Sequence, residues 1–227
     1  MLSLLQLRMP EPRKSVFRLF FPAILVLLLV VSTAEAVDLP TDARFFFMGS
    51  SLLTMPTGYI NSGVAYINDV SRSSTMYSIA PLGKYLEISG QRYLSGAYKD
   101  KNPFNLKVNI LEEDTVIPNV VYGIADWSHE LGSRISYFAA SKKLETLGMT
   151  LHGGFLRDPV TTAQRSFYGI EKTIYSKFCL AGERFDDRNT VGLKFRPYQG
   201  ISIEYARRLD EPGVQQQLYK LVYTANF

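Results

Sequence analysis

The sequence predicts an all-β fold: an antiparallel, up-and-down transmembrane β-barrel of about twelve strands, preceded by a cleaved signal peptide. Three observations predict it. The last nine residues, Tyr219 to Phe227, alternate, so that Tyr219, Leu221, Tyr223, Ala225 and Phe227 share one face and Lys220, Val222, Thr224 and Asn226 the other. This pattern suits a closing strand with lipid on one side and a lumen on the other. The chain opens with an export leader, and the segments between carry alternating strands whose connections sort by length onto two rims.

The leader comes first. Arg13, Lys14 and Arg18 precede the apolar run Leu19 to Val31, and Ala34-Glu35-Ala36 then supplies a small-x-small cleavage pattern. Thirteen residues rise only about 20 Å as a helix, short of the roughly 30 Å hydrocarbon core, which favours a cleaved signal over a retained anchor. Residues 1–36 therefore read as a Sec signal peptide, 37–60 as an N-terminal periplasmic or plug segment, and 61–227 as the barrel. Met9 as initiator would leave the signal intact.

Composition narrows the function classes. The mature chain of 191 residues fits one sizeable domain, and removing four basic and two acidic leader residues lowers the formal charge from +4 to +2. Its basic residues are scattered, so no nucleic-acid partner is expected. The single cysteine, Cys179, rules out an intramolecular disulfide framework. Fourteen Tyr and fourteen Phe suit the aromatic girdles of a lipid-facing barrel. If the mature chain spans a membrane it must close its sheet, because lipid cannot satisfy an open strand edge.

The strands follow in order. Phe104-Asn105-Leu106-Lys107-Val108-Asn109-Ile110 sets four apolar side chains against Asn, Lys and Asn. Val191, Leu193 and Phe195 oppose Lys194 and Arg196, and Ile201, Ile203 and Tyr205 oppose Ser202, Glu204, Ala206 and Arg208. Tight connections are expected at Pro81-Leu82-Gly83, Lys143-Leu144-Glu145, Tyr175-Ser176-Lys177 and Pro197 to Gly200. Longer ones are expected around Ser95 to Pro103, Trp127 to Ser133, Arg157 to Arg165 and Asp210 to Gln215. The connection near Glu113 to Ile117 is long for its rim, and the first and ninth are short for theirs. An even strand count puts both chain ends on the periplasmic side.

Alternation assigns Glu87, Lys107, Glu171, Glu183, Lys194, Arg196, Glu204 and Arg208 to the lumen, with Cys179 beside them. Mixed signs favour mutual neutralisation, a charge ladder that fills a narrow interior and pins register, over a polar track for a sugar or ion. Lys172 breaks the scheme by falling on the lipid face with Tyr168, Ile170 and Ile174, so it must snorkel to the rim or mark a bulge. No catalytic, cofactor or metal residue is assigned. Ser128 beside His129 does not by itself make a nucleophile and base, His152 falls on the lumen face, and two histidines with one cysteine have no zinc spacing. Asp186-Asp187 reads as a solvated turn. The glycines of His152-Gly153-Gly154 read as relief of curvature or crowding.

Leu52-Leu53-Thr54-Met55-Pro56-Thr57 resembles the opening motif of the YjbH-like family of outer-membrane β-barrels. Tyr85 to Gly90, Asn105-Leu106-Lys107, Ile117 to Asp126, Tyr137 to Lys142 and Gly182 to Asn189 with Val191-Gly192 are similar to further motifs of that family, in the same order. The chain is shorter than the larger members, and Arg184 with Arg188 makes its acidic hairpin more basic. The resemblance implies an outer-membrane barrel associated with exopolysaccharide biosynthesis and export, and it supplies no catalytic residue. The functional expectation is then a non-enzymatic barrel assisting export or assembly of an exopolysaccharide. A small passive pore and a structural or adhesive surface protein are the alternatives. Expected partners are outer-membrane lipid, the barrel-assembly machinery acting on the C-terminal strand, and polysaccharide with its export proteins.

Overall fold

A computed structural model of the chain describes residues 51–61, 63–69, 75–94, 98–159, 162–209 and 217–225. Residues 1–36, where the sequence predicts a signal peptide, residues 37–50, the connection between β1 and β2 and Phe227 lie outside them. Twelve strands follow one another: β1 (Val64–Asp69), β2 (Thr75–Leu82), β3 (Leu86–Tyr93), β4 (Phe104–Leu111), β5 (Asn119–Ala125), β6 (Ile135–Leu144), β7 (Met149–Arg157), β8 (Gln164–Tyr175), β9 (Phe178–Phe185), β10 (Arg188–Tyr198), β11 (Ile201–Arg208) and β12 (Gln217–Ala225). Each pairs antiparallel with its chain neighbours. β1 pairs with β12 from Val64↔Ala225 to Asp69↔Lys220, which closes the barrel. Closure leaves no strand edge, the condition lipid imposes on a sheet.

The rims differ as the connections predict. At one, turns span residues 83–85, 176–177 and 199–200, a single 3-10 turn covers Glu145–Leu147, and the longer 112–118 link is the exception. At the other, residues 126–134 make a longer link, β3 and β4 and likewise β11 and β12 are separated by eight or more residues, and Asp186–Asp187 makes a tight turn. Pro81 and Leu82 belong to β2, and the turn begins at Gly83. Asp186 takes a φ of 56°, a left-handed conformation that Asp tolerates in two-residue hairpins. Gly200, at φ 79°, does the same between β10 and β11.

Outward residues form the apolar belt. Phe104, Ile110, Tyr168, Leu180, Val191 and Tyr223 are all exposed. Directly paired aromatics meet across strands: Phe138 lies tilted between Tyr122 and Phe155 at 5.0 and 5.3 Å, Phe178 stacks on Phe195 at 4.8 Å, and Tyr205 tilts against Tyr219 at 5.1 Å. Such pairs tie strands on the outward face. Lys172 snorkels. Its Nζ donates to the Leu147 carbonyl at the short-turn rim (2.5 Å), and the register shift on β8 lies beyond it, between Thr173 and Tyr175.

The interior corrects one expectation. A wet lumen along the whole of every strand does not form, because inward Val121, Ala125, Ile135, Tyr137, Leu156 and Phe167 pack into an apolar core on the β5–β9 side. Several aromatics are therefore core rather than girdle: Tyr93, Tyr137, Phe167 and Phe185 are at least 95% buried. Glycines on this wall admit the rings. A Cβ on Gly123 would fall inside the ring of its cross-strand partner Tyr137, and one on Gly154 would collide with Phe167, also its cross-strand partner. Crowding is thus the reason for the glycine at position 154.

Gly123→Val should cost about 1–3 kcal/mol through overpacking, read as a lower urea midpoint for loss of the compact band on unheated SDS gels. Adding Tyr137→Ala should recover part of that loss, because it removes the ring the new side chain strikes.

Candidate functional site in the barrel interior

Residues 51–61 run through the barrel as a strap. A Ser51–Pro56 bridge and a Leu52 N–H to Met55 carbonyl bond (2.9 Å) make a tight turn, and residues 52–58 are all buried. Apolar Leu52, Leu53 and Met55 bury themselves here as core residues would. The two leucines sit in notches of the wall. A Cβ on Gly169 would come within 2.5 Å of Leu52, and one on Gly192 within 2.6 Å of Leu53.

Charged wall residues hold the strap's backbone. The Glu183 carboxylate accepts the N–H groups of Leu53 (3.1 Å), Thr54 (3.0 Å) and Met55 (3.2 Å), and the Thr54 hydroxyl as well. From the far side of the turn, Lys220 donates to the Leu53 carbonyl and pairs with Glu204 at 3.7 Å. The turn's peptide dipoles thus lie between a carboxylate and an ammonium. These are charge-assisted bonds out of water, the stronger class.

Nearer the short-turn rim the strap meets polar groups. Gly58 donates its N–H to Ser141 Oγ (2.7 Å), and Asn119 Nδ2 donates to the Gly58 carbonyl and to Asn109 Oδ1 (2.9 Å). Lys107 Nζ reaches the Tyr59 carbonyl at 3.2 Å and Glu87 at 3.4 Å, and the Asn61 N–H donates to Glu87 (2.8 Å). Lys107 and Glu87 are each only 1% exposed, so their charges depend on one another and on the strap. The Tyr59 hydroxyl donates to Glu113 (2.7 Å) in the 112–118 link.

Burial and the Glu113 carboxylate hold the Tyr59 phenol above its usual range. Burial opposes the charge on Glu113, but bonds from Tyr59 and the Lys143 N–H, with Lys142 close by, hold its carboxyl below the usual range. Asp114 is lowered likewise by the N–H groups of Ile117 and Val116.

All eight charged lumen residues of the sequence reading face inward, and they divide by task. Glu183 binds the strap turn. Glu87 and Lys107 bind its lower end, and Glu204 supports Lys220. Glu171 on β8 pairs across β9 with Lys194 (2.8 Å) and Arg196 (3.1 Å) of β10, and makes no bond to the strap among the described residues. Arg208 is buried near the long-loop rim. Sequence reasoning missed Lys220, Asn119 and Ser141 as strap contacts. The legible signal was the short apolar run Leu52 to Met55, which lacks strand alternation, together with inward glycines at 169 and 192. Of the closing strand, Tyr219, Leu221, Tyr223 and Ala225 lie on the outward face.

His152 and Ser128 each have neighbours of their own. His152 Nδ1 bonds Ser141 Oγ (2.7 Å), the hydroxyl that also accepts the Gly58 N–H, and both residues lie buried beneath the strap. Ser128 instead bonds the Phe104 N–H (3.1 Å) and Asp126 (3.4 Å). Among the described residues no group of three or more His, Cys, Asp or Glu could hold a metal. Space remains at the short-turn mouth, where cavities of about 650 and 570 Å³ both border Asn61. The first is lined by Tyr59, Lys84, Asn109 and Glu112, the second by Lys177, Arg196 and Tyr198.

No family model and no curated protein matches the chain. Solved structures do. The KdgM porin is similar with a TM-score of 0.51 at 7% identity, covering 72% of this chain and 99% of that one. The KdgM porin in complex with disordered oligogalacturonate gives 0.50 at the same identity and coverage. A triple mutant of the Rhodopseudomonas blastica porin gives 0.40 at 6% identity, over 66% of this chain and 55% of that one. The likeness is one of fold: this chain is a porin-like, antiparallel up-and-down β-barrel.

Two outcomes test the site. Glu183→Leu strands three buried N–H groups and should cost at least about 3 kcal/mol in urea unfolding, whereas Glu183→Gln, which keeps an acceptor, should cost less. Because the folded pKa of Glu113 is depressed, its contribution is complete above the ordinary carboxylate range and is lost as pH falls through the folded value. Acidification should therefore destabilise the native chain more than Glu113→Gln.

Proposed function

We propose that this chain is a non-enzymatic outer-membrane pore whose lumen is held shut by residues 51–61. The observation that carries the reading is the strap itself, a segment separate from the twelve strands and bonded by wall charges inside a porin-like barrel. A small passive pore is favoured over assistance to exopolysaccharide export, because the fold likeness is to porins and no family match accompanies the sequence resemblance. The apolar belt suits outer-membrane lipid, and the outward face of β12 suits recognition by the barrel-assembly machinery. Solute would enter by the cavities flanking Asn61 and pass only when the strap leaves its seat.

Gly58 offers the test because it belongs to the strap and not to the wall. A side chain there would strike the Ala140 and Asn119 backbone within 2.8 Å, so Gly58→Val should unseat the strap while leaving the strands unchanged. In planar bilayers the native chain should be closed most of the time, and Gly58→Val should open often. If both variants give the compact form on unheated gels and neither conducts, the pore reading fails.

A further inference from the structure

Arginines gather at one rim. Of the nine arginines among the described residues, eight lie at strand ends or loops of the long-loop rim, Arg196 being the exception. The short-turn rim carries lysines, and several are satisfied by the protein. Lys84 pairs with Glu112 (2.7 Å), Lys142 with Glu113 (3.6 Å), and Lys172 bonds the Leu147 carbonyl.

Four of the arginines point outward. Arg92, Arg157, Arg184 and Arg207 are exposed at the upper ends of β3, β7, β9 and β11, while their chain neighbours Gln91, Leu156, Glu183 and Ala206 face inward. Arg92, Arg157 and Arg207 make no ion pair or side-chain hydrogen bond among the described residues, and Arg184 gives its Nε to the Asp186 carbonyl (3.1 Å). Two residues further into the belt on the same face stand exposed Phe155 below Arg157 and Tyr205 below Arg207. Arg157 and Arg184 thus stand at the outer end of the exposed apolar face, and Arg92 and Arg207 within its outer margin, with exposed Leu94 and Leu209 just beyond them. Acids in the loops of this rim engage other partners: Glu130 pairs with Lys101 (3.8 Å), Asp187 with Arg188 (3.9 Å), and Asp126 accepts the Glu130 and Leu131 N–H groups.

We propose that Arg92, Arg157, Arg184 and Arg207 form a collar that binds the phosphates of a glycolipid in the leaflet facing the long loops. This inference rests on the outer-membrane reading of the barrel. Arginine suits the task because it stays charged, sheds water more readily than an ammonium and takes phosphate oxygens in pairs. Four such groups spaced around the belt would order lipid against the wall without contact to the lumen.

Titrating a fluorescent bis-phosphorylated lipid A into the folded chain in neutral detergent tests the collar, with phosphate-free lipid A as comparison. The native chain should bind the phosphorylated lipid about tenfold more tightly, with the preference falling as salt is raised. The R92Q/R157Q/R184Q/R207Q variant should lose the preference, and a K84Q/K142Q/K177Q control should keep it. No preference in the native chain, or an undiminished one in the arginine variant, overturns the collar. Displacement of the lipid by millimolar inorganic phosphate would overturn the lipid assignment. The gel shift and conductance of the same samples report on the barrel and the pore separately, so a failed collar is distinguishable from a failed outer-membrane reading.

Discussion

A carboxylate inside a barrel wall must find donors, and Glu183 finds them in the backbone of another segment. Three successive N–H groups and a hydroxyl converge on it, while Lys220 takes the carbonyl of the same turn. Neither charge would be stable unpaired in this interior, and the turn would have unsatisfied peptide groups without them. The strap and the wall charges are therefore mutually required. Leu52 fitting at Gly169 and Leu53 at Gly192 follow from that seat, as does the chain's descent past Ser141, Lys107 and Glu87 to the start of β1.

The interior is thus filled in two ways. On the β5–β9 side, rings set into glycine notches make a packed core, with Met55 of the strap as a member. Elsewhere, ion pairs and amides bind backbone. Apolar packing alone would leave the strap's peptide groups unsatisfied, and charge alone would leave voids that the apolar side chains fill. Rotating a strand's register by one residue would exchange both inner systems for the lipid belt, so the interior and the belt fix register together.

Much of the barrel was legible from alternation. The period-two pattern of Phe104 to Ile110 and of Gly200 to Leu209 reports side-chain direction directly, and loop lengths reported the rims. The inward position of each charged residue followed from the same parity. Their partners did not, because alternation says which side a residue faces and nothing of what meets it across the lumen. Glu183 and Thr54 are 129 positions apart, a contact no local pattern encodes. The inward apolar residues of β5 and β6 were hidden for another reason: in Asn119 to Ala125 and Ile135 to Ala140 both faces are largely apolar, so parity could not separate core from lipid face.

The central claim is that residues 51–61 occupy the lumen of the folded barrel, and thiol accessibility tests it most directly. In a Cys179→Ala chain, Met55→Cys places a thiol within the interior cluster, and Asp187→Cys places one on an exposed hairpin as reference. Exposed to a water-soluble maleimide, the folded Asp187→Cys chain should label readily. Met55→Cys should stay unlabelled until heat or denaturant opens the barrel. Labelling of both cysteines at the same rate in the folded, SDS-resistant form would contradict the seated strap.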